Sequence, residues 1–185
     1  MSLPVLNGPR LTLRAARPSD REERRALGHA PEVARGFGVQ LPRAVEMTQE
    51  AADVWFAALI AEKQAWVIAL GDRFIGTLTI HSMVPADSRA SVAIAIFDEL
   101  LLGQGYGTEA LRLAIGHAFK ELSVHRLSIR VLASNTRAVR CYEKCGFKAE
   151  GRERESARVG HSWEDDLIMG LLQQEWLAAD APSGG

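Results

Sequence analysis

The feature that most limits what this chain can fold into is a junction. Ser91 to Phe97 (SVAIAIF) alternates Val92, Ile94 and Ile96 against Ala93, Ala95 and Phe97, the pattern of a buried strand. Further on, Ala110, Leu111, Ala114, Ile115, Ala118, Phe119 and Leu122 recur at helical spacing and predict a helix from near Thr108. Between the two, Gly103, Gly105 and Gly107 take every second position. Glycine admits positive φ and lets a ligand approach the backbone closely. The first turn of a helix has unpaired N–H groups and partial positive charge, so such a junction can hold phosphate. It can also be a tight turn with no ligand. A P-loop is excluded, because no Lys-Ser/Thr pair follows the last glycine, and the spacing is not Gly-x-Gly-x-x-Gly.

At 185 residues the chain is long enough for one domain with a substantial core, expected here over 1–177 with a flexible tail over 178–185. Apolar residues at 47% and charged residues at 24% match ordinary globular proteins. A formal charge of −1 gives no reason to expect nucleic acid or a membrane surface as partner. No apolar run spans a bilayer, and Met1 to Arg10 has no signal-peptide h-region, which points to the cytoplasm. Cys141 and Cys145 fall four apart on a predicted helix without a second Cys or His pair at metal spacing. They read as buried thiols in a reducing compartment, and no metal is expected.

Along the chain, Leu11 to Arg14 is a short strand, and Arg21 to Gly28 a short helix capped by Asp20 or Ser19. Thr48 caps a helix whose apolar stripe is Ala52, Trp55, Phe56, Leu59 and Ile60, read as core. Ala65 to Leu70 and Arg73 to His81 form a hairpin around Gly71-Asp72. The helix after Gly107 leads to a strand at Arg126 to Leu132, and such a crossover makes this strand a parallel neighbour of Ser91 to Phe97. Strands follow at Phe147 to Ser156 and Asp165 to Leu172, so the sum is a mixed α+β sheet.

A second informative stretch runs from Asn135 to Phe147 (NTRAVRCYEKCGF). Asn135 is a good N-cap, Ala138, Val139, Tyr142 and Cys145 share one helical face, and Gly146 suits a left-handed cap. By itself this is a capped amphipathic helix. Taken together, the two stretches resemble the GNAT superfamily of acetyl-CoA-dependent N-acetyltransferases. Leu102-Gly103-Gln104-Gly105-Tyr106-Gly107 matches the glycine positions of that family's pyrophosphate loop, Arg/Gln-x-x-Gly-x-Gly/Ala. Asn135, Ala138, Tyr142, Gly146 and Phe147 match its later motif. Pro9 to Arg14 and the run from Glu150 to Asp165 look like the branch of Rim-type ribosomal-protein N-terminal acetyltransferases and their small-molecule relatives.

The resemblance implies a GNAT-type, mostly antiparallel twisted sheet of six to seven strands, helices on both faces, and a parallel pair splayed at the acetyl-CoA site. It implies acetyl-CoA as cosubstrate and a primary amine as acceptor, either a protein N-terminus or a small molecule. Backbone groups of Ala95 and Phe97 would pair with the pantetheine arm. Leu102, Gly103, Gln104, Gly105, Tyr106, Gly107 and Thr108 would hold the pyrophosphate. Asn135 and Ala138 would lie along the cofactor, and Tyr142 would protonate the departing thiolate. Two positions depart from the family's pattern. Leu102 stands where Arg or Gln is usual, and Val92 where many relatives carry a Glu base. His81 is the side-chain candidate to replace that base, with a plain surface histidine as the alternative. A non-catalytic acetyl-CoA sensor of the same fold is the alternative function. Relatives in this branch are often dimers, so a homodimer through an exposed apolar strand edge is a further expectation.

Overall fold

In the computed structural model, which describes residues 3–180, the sheet follows chain order until its last two strands. β1 (Leu6–Asn7), β2 (Thr12–Arg14), β3 (Ala65–Leu70), β4 (Arg73–Val84) and β5 (Arg89–Ile96) pair antiparallel in succession. β6 (Arg126–Leu132) lies parallel to β5. The last strand, β8 (Ser162–Leu172), inserts between β6 and β7 (Lys148–Val159) and pairs antiparallel with both. The sheet is thus mixed and mostly antiparallel, as the sequence predicts. It has eight strands rather than six or seven, because Leu6–Asn7 adds a two-residue edge beside Thr12 and Leu13.

Period-two alternation sorts the core onto two faces. In β3, Trp66 and Ile68 enter the main cluster, while Val67 and Ala69 enter the second. The main cluster is closed by α4 (Tyr106–Glu121), through Ala110, Leu111, Ala114 and Ile115, and by α5 (Thr136–Lys144), through Tyr142. The second lies under α1 (Pro18–Leu27) and α3 (Gln49–Ala61), with α2 (Pro31–Gly36) beyond them. On α3, Thr48 Oγ1 accepts from the Ala51 N–H at 3.1 Å, the cap its sequence predicts. Ile60 does not belong to the core stripe: it is 59% exposed, because the helix turns only Ala52 and Leu59 fully inward.

α1 starts earlier than Asp20. Pro18 stands at its first position, Arg17 is the N-cap, and Asp20 reaches back to accept the Arg17 N–H at 2.5 Å. The same carboxylate takes two hydrogen bonds from Arg14 of β2, at 2.8 and 2.7 Å, and both side chains are buried. This pair ties the first long helix to the sheet.

At the far end, α6 (Gln173–Asp180) continues directly from β8, so Ala178 to Asp180 are helical rather than part of a tail. Residues 181–185 lie outside the described residues. The outer edge, β7, carries Lys148, Glu150, Arg152, Glu153, Arg154 and Glu155, most of them exposed. The β7 edge is therefore not an apolar one, and alternating charge of this kind discourages strand addition there.

Removing one partner of a buried ion pair leaves a desolvated charge and costs about 3–5 kcal/mol. Asp20→Ala is expected to lower unfolding free energy by about that much in urea titration. Arg14→Met with Asp20→Leu in the same chain is expected to recover most of it.

Candidate active site

β5 and β6 are partners for only three residues: Arg89 faces Arg126, Ala90 faces Leu127 and Ser91 faces Ser128. The Ser91 and Ser128 hydroxyls, 3.0 Å apart, mark the last rung. Beyond it the strands diverge. Residues Val92 to Ile96 keep β4 on one side and face a cleft of about 620 Å³ on the other. Its opposite wall is Ile129 to Leu132 of β6, its floor the start of α4, and its side α5.

The glycine loop forms one end. Gly103 and Gly105 sit at φ 77° and 86°, a region that L side chains rarely adopt. A Cβ on Gly105 would also come within 3.3 Å of Arg10 Nη2. α4 begins at Tyr106, two residues before the apolar pattern does, because the Gly105 carbonyl already accepts from Glu109 N–H at 3.0 Å. The amides of Tyr106, Gly107 and Thr108 consequently lie in the first turn and have no helical carbonyl to pair with. Arg10 braces the loop from behind: it donates to the Gln104 carbonyl at 3.0 Å and its guanidinium lies 4.5 Å from the Tyr106 ring centre. Glu109 fixes Arg10 in turn, accepting from its N–H and its Nε at 2.8 and 2.7 Å. Burial opposes ionisation of Glu109, but the hydrogen bonds from Arg10 and Leu11 outweigh it and hold the carboxyl below its usual range.

On α5, Asn135 Oδ1 accepts from the Ala138 N–H at 3.2 Å, and its Nδ2 donates to the Gly36 carbonyl at 3.2 Å. Both polar groups of Asn135 are therefore committed, one to the cap and one to α2. Tyr142 is 7% exposed, and its hydroxyl makes no hydrogen bond among the described residues. Burial, with Cys141 and Cys145 alongside, pushes its pKa above the usual phenol value, so the group stays protonated at neutral pH. Cys141 also lines the cleft, 3.3 Å from Thr108 Oγ1. Hydrogen bonding from Cys145 and Thr108 draws its pKa down to about 7, against the opposing effect of burial. The Cys145 thiol is pushed up by the same contact and by burial. Both thiols are free, and the described residues hold no cluster of three potential metal ligands.

The cleft brings together Ala95, Leu102, Gly103, Gly105, Tyr106, Gly107, Thr108, Asn135, Ala138 and Tyr142 from three separate stretches of sequence. Two expected residues turn their backbone groups away from it. The Phe97 N–H donates to the Ile75 carbonyl at 2.9 Å, and Ala95, opposite Thr77 in the same register, directs its N–H and C=O toward β4 as well, so sheet pairing takes both. The Gln104 side chain folds back onto the Leu100 carbonyl at 2.6 Å. His81 is also away from the cleft: it pairs with Ser91 at the closed end of the strands and bonds only its neighbour Ser82. Val92 is 3% exposed and packed in the main core, so that position brings no base.

The sequence reading missed a polar group in the cleft. Asp166 of β8 is buried, accepts from Arg130 Nε at 2.6 Å and from Ser156 Oγ at 3.0 Å, and lines the cavity with Arg130. Asp166 sits in a stretch of alternating charge that reads as solvated strand edge. Only the pairing of Asp166 with Leu132 reveals that it faces inward.

Residues 10–148 match the acetyltransferase (GNAT) domain family. The uncharacterized N-acetyltransferase YoaA of Bacillus subtilis is 30% identical over 156 residues, covering 80% of this chain and 85% of that protein. Spermidine N(1)-acetyltransferase of Vibrio cholerae is 31% identical over 75 residues, 40% of this chain and 43% of that protein. Three other Bacillus subtilis relatives are matched over 59%, 55% and 48% of their length, so the similarity spans about half of those proteins. The crystal structure of spermidine N-acetyltransferase from Vibrio cholerae in complex with CoA and spermine superposes with a TM-score of 0.76. The match covers 92% of this chain and 99% of that one at 22% identity, a likeness of fold.

The two thiols should differ in reactivity, since the thiolate is the nucleophile. Alkylation by iodoacetamide, followed by mass spectrometry, is expected to modify Cys141 ahead of Cys145, rising as pH passes about 7. A ligand filling the cleft is expected to slow it.

Proposed function

The chain belongs to the GNAT acetyltransferase family, and from that premise we propose that it transfers an acetyl group from acetyl-CoA to a primary amine. The observation that carries this reading is the coincidence, in one cleft, of an unpaired strand edge, a helix N-terminus with a glycine loop, and a protonated buried phenol. The free edge of β5 supplies backbone groups for the amides of a pantetheine arm from Ile94 and Ile96, the residues whose N–H and C=O turn away from β4. The Gly103–Thr108 segment suits the pyrophosphate, whose charge the α4 N-terminus favours. Tyr142 then lies beside the sulfur.

In the reaction, the neutral amine attacks the thioester carbonyl carbon, forming a C–N bond as the C–S bond breaks. The amine gives up one proton to solvent water, and the sulfur gains one from the Tyr142 hydroxyl, which is reprotonated from water. The raised pKa of Tyr142 suits a donor that must be neutral when the thiolate departs. Backbone N–H groups on the free edge of β5 polarise the carbonyl oxygen. Positioning of amine and thioester supplies the remainder.

The acceptor is a protein N-terminus, as in Rim-type relatives, or a small-molecule amine, and the protein works in the cytoplasm, where its two free thiols stay reduced. A sensor without catalysis is favoured only by the apolar Val92. Tyr142 counts against it, since a sensor has no use for a proton donor in the cleft.

Tyr142→Phe removes one hydroxyl and no packing. It is expected to reduce kcat for CoA thiol release at least about 100-fold while acetyl-CoA affinity by calorimetry stays the same. Unchanged turnover in this variant would remove the phenol from the mechanism.

A further inference from the structure

Arg24 is 4% exposed, and nothing acidic faces it. Its Nη1 donates to the Gly28 carbonyl at 2.7 Å, while its Nε is buried without a partner. Desolvation is the one influence on its titration, and it acts to lower the pKa with no carboxylate to offset it. Burying a cation unpaired costs several kcal/mol per charge, so such an arrangement calls for a counter-charge from outside the chain. The guanidinium is already oriented to receive one. Its carbon lies 4.2 Å from the Phe97 ring centre and 5.9 Å from that of Trp55, which fixes the plane. A guanidinium held in this way can bind a carboxylate through two parallel hydrogen bonds.

Arg24 lines a cavity of about 430 Å³, within the range of small-molecule sites. Besides Arg24, only His29 among its lining residues can titrate. Burial and the Arg24 charge both hold that imidazole below its ordinary pKa, so it is neutral at neutral pH. The remaining walls are mostly apolar, Val33, Ala34, Phe37 and Leu41 among them, and the cavity contains no acid. It is also a built structure. Hydrogen bonds of 2.7 and 3.1 Å between the backbones of His29 and Val45 pin both ends of the segment that roofs it. Gly28 holds φ 57° at the hinge, where a Cβ would strike the Val45 carbonyl at 2.7 Å.

The cavity adjoins the acetyl-transfer cleft. Val33 and Phe37 line both, and Phe97 directly follows Ile96, which lines the cleft. We propose that the Arg24 cavity is the acceptor's carboxylate subsite, and that the acetylated amine is carried by a small amino acid with an apolar side chain. This deepens the acetyl-transfer reading and rests on it. A polyamine is disfavoured in this cavity: it would bring a second cation to a buried one, without an acid to receive it. The bonds made and broken are those given above, and the carboxylate takes no part in them. Its pairing with Arg24 holds the amine toward the thioester.

The test compares L-leucine with L-leucinamide, and L-phenylalanine with its amide, as acceptors in CoA thiol release, with spermidine as a third class. The amide's amine is less basic and more of it is neutral, so a preference for the free acid runs against intrinsic reactivity. The expected result is kcat/KM at least about 30-fold higher for the acids, lost mainly through KM in Arg24→Met and partly restored in Arg24→Lys. N-acetyl-L-leucine titrated into the CoA-loaded protein reads the subsite without turnover, with heat expected from wild type and none from Arg24→Met. Amides or spermidine acetylated as well as the acids, or N-acetyl-leucine binding unchanged in Arg24→Met, would overturn the proposal while leaving acetyl transfer intact. Arg24-dependent binding of N-acetyl-leucine without acetyl-CoA turnover would instead support the subsite and overturn the transfer reading.

Discussion

The parting of β5 from β6 is the constraint on which the rest of the structure depends. A sheet normally satisfies every interior N–H and C=O, and a gap between two central strands leaves a row of them exposed. Here the gap follows only three paired residues. The sheet survives it because each strand is held firmly on its other side. β5 stays paired with β4 along most of its length, and β6 with β8 over all seven of its residues. The two halves meet at those three residues, the serine–serine contact being the last, and through the helices that cross the gap. The opening is thus framed by full pairing on its two outer sides and shaped to accept an extended ligand.

Around that gap the polar groups divide into those that are spent and those that are free. Asn135, Glu109 and Arg10 are fully engaged in holding α5, α4 and the glycine loop. Asp166 is engaged with Arg130 and Ser156. The first-turn amides of α4, the Tyr142 hydroxyl and the Arg24 Nε edge are not. Unsatisfied groups in low-dielectric surroundings are costly, and they are rarely kept where nothing will meet them. Their positions, along one cleft and its adjoining cavity, suit the donor and acceptor proposed above.

How much of this could be read from sequence depended on the range of the interaction. The N-cap of Asn135, the turn at Gly146 and the strand–glycine–helix junction are local, formed by residues within a few positions, and each is legible. The parallel pairing of β5 and β6 was legible too, because helix length dictates the crossover. The start of α1 was misjudged because Asp20 looks like a cap in the string RPSDREE but reaches backwards to Arg17 and across to Arg14. α6 is anchored by Trp176 against Phe119, 5.6 Å between ring centres, a contact with no local signature. The backbones of Ala95 and Phe97 were misread because β4 claims both, opposite Thr77 and Ile75, a fact of sheet register. Arg24 was the least legible of all. In the run Arg21 to Arg25 it looks like one more solvated charge, and only the arrival of Phe97 and α2 from elsewhere makes it a buried cation.

The position of β8 has a consequence for how the molecule comes into being. Strands β3 to β5 are near neighbours in sequence, and they can assemble before the segments that follow them are made. β6 cannot be secured in the same way. Its contact with β5 is three residues long, and its full-length partner, Ser162–Leu172, is made only after α5 and β7. Long-range pairing of this kind forms late. The far wall of the cleft therefore becomes rigid only once β8 has been made, and a nascent chain that has not reached it would hold the glycine loop without the wall that faces it.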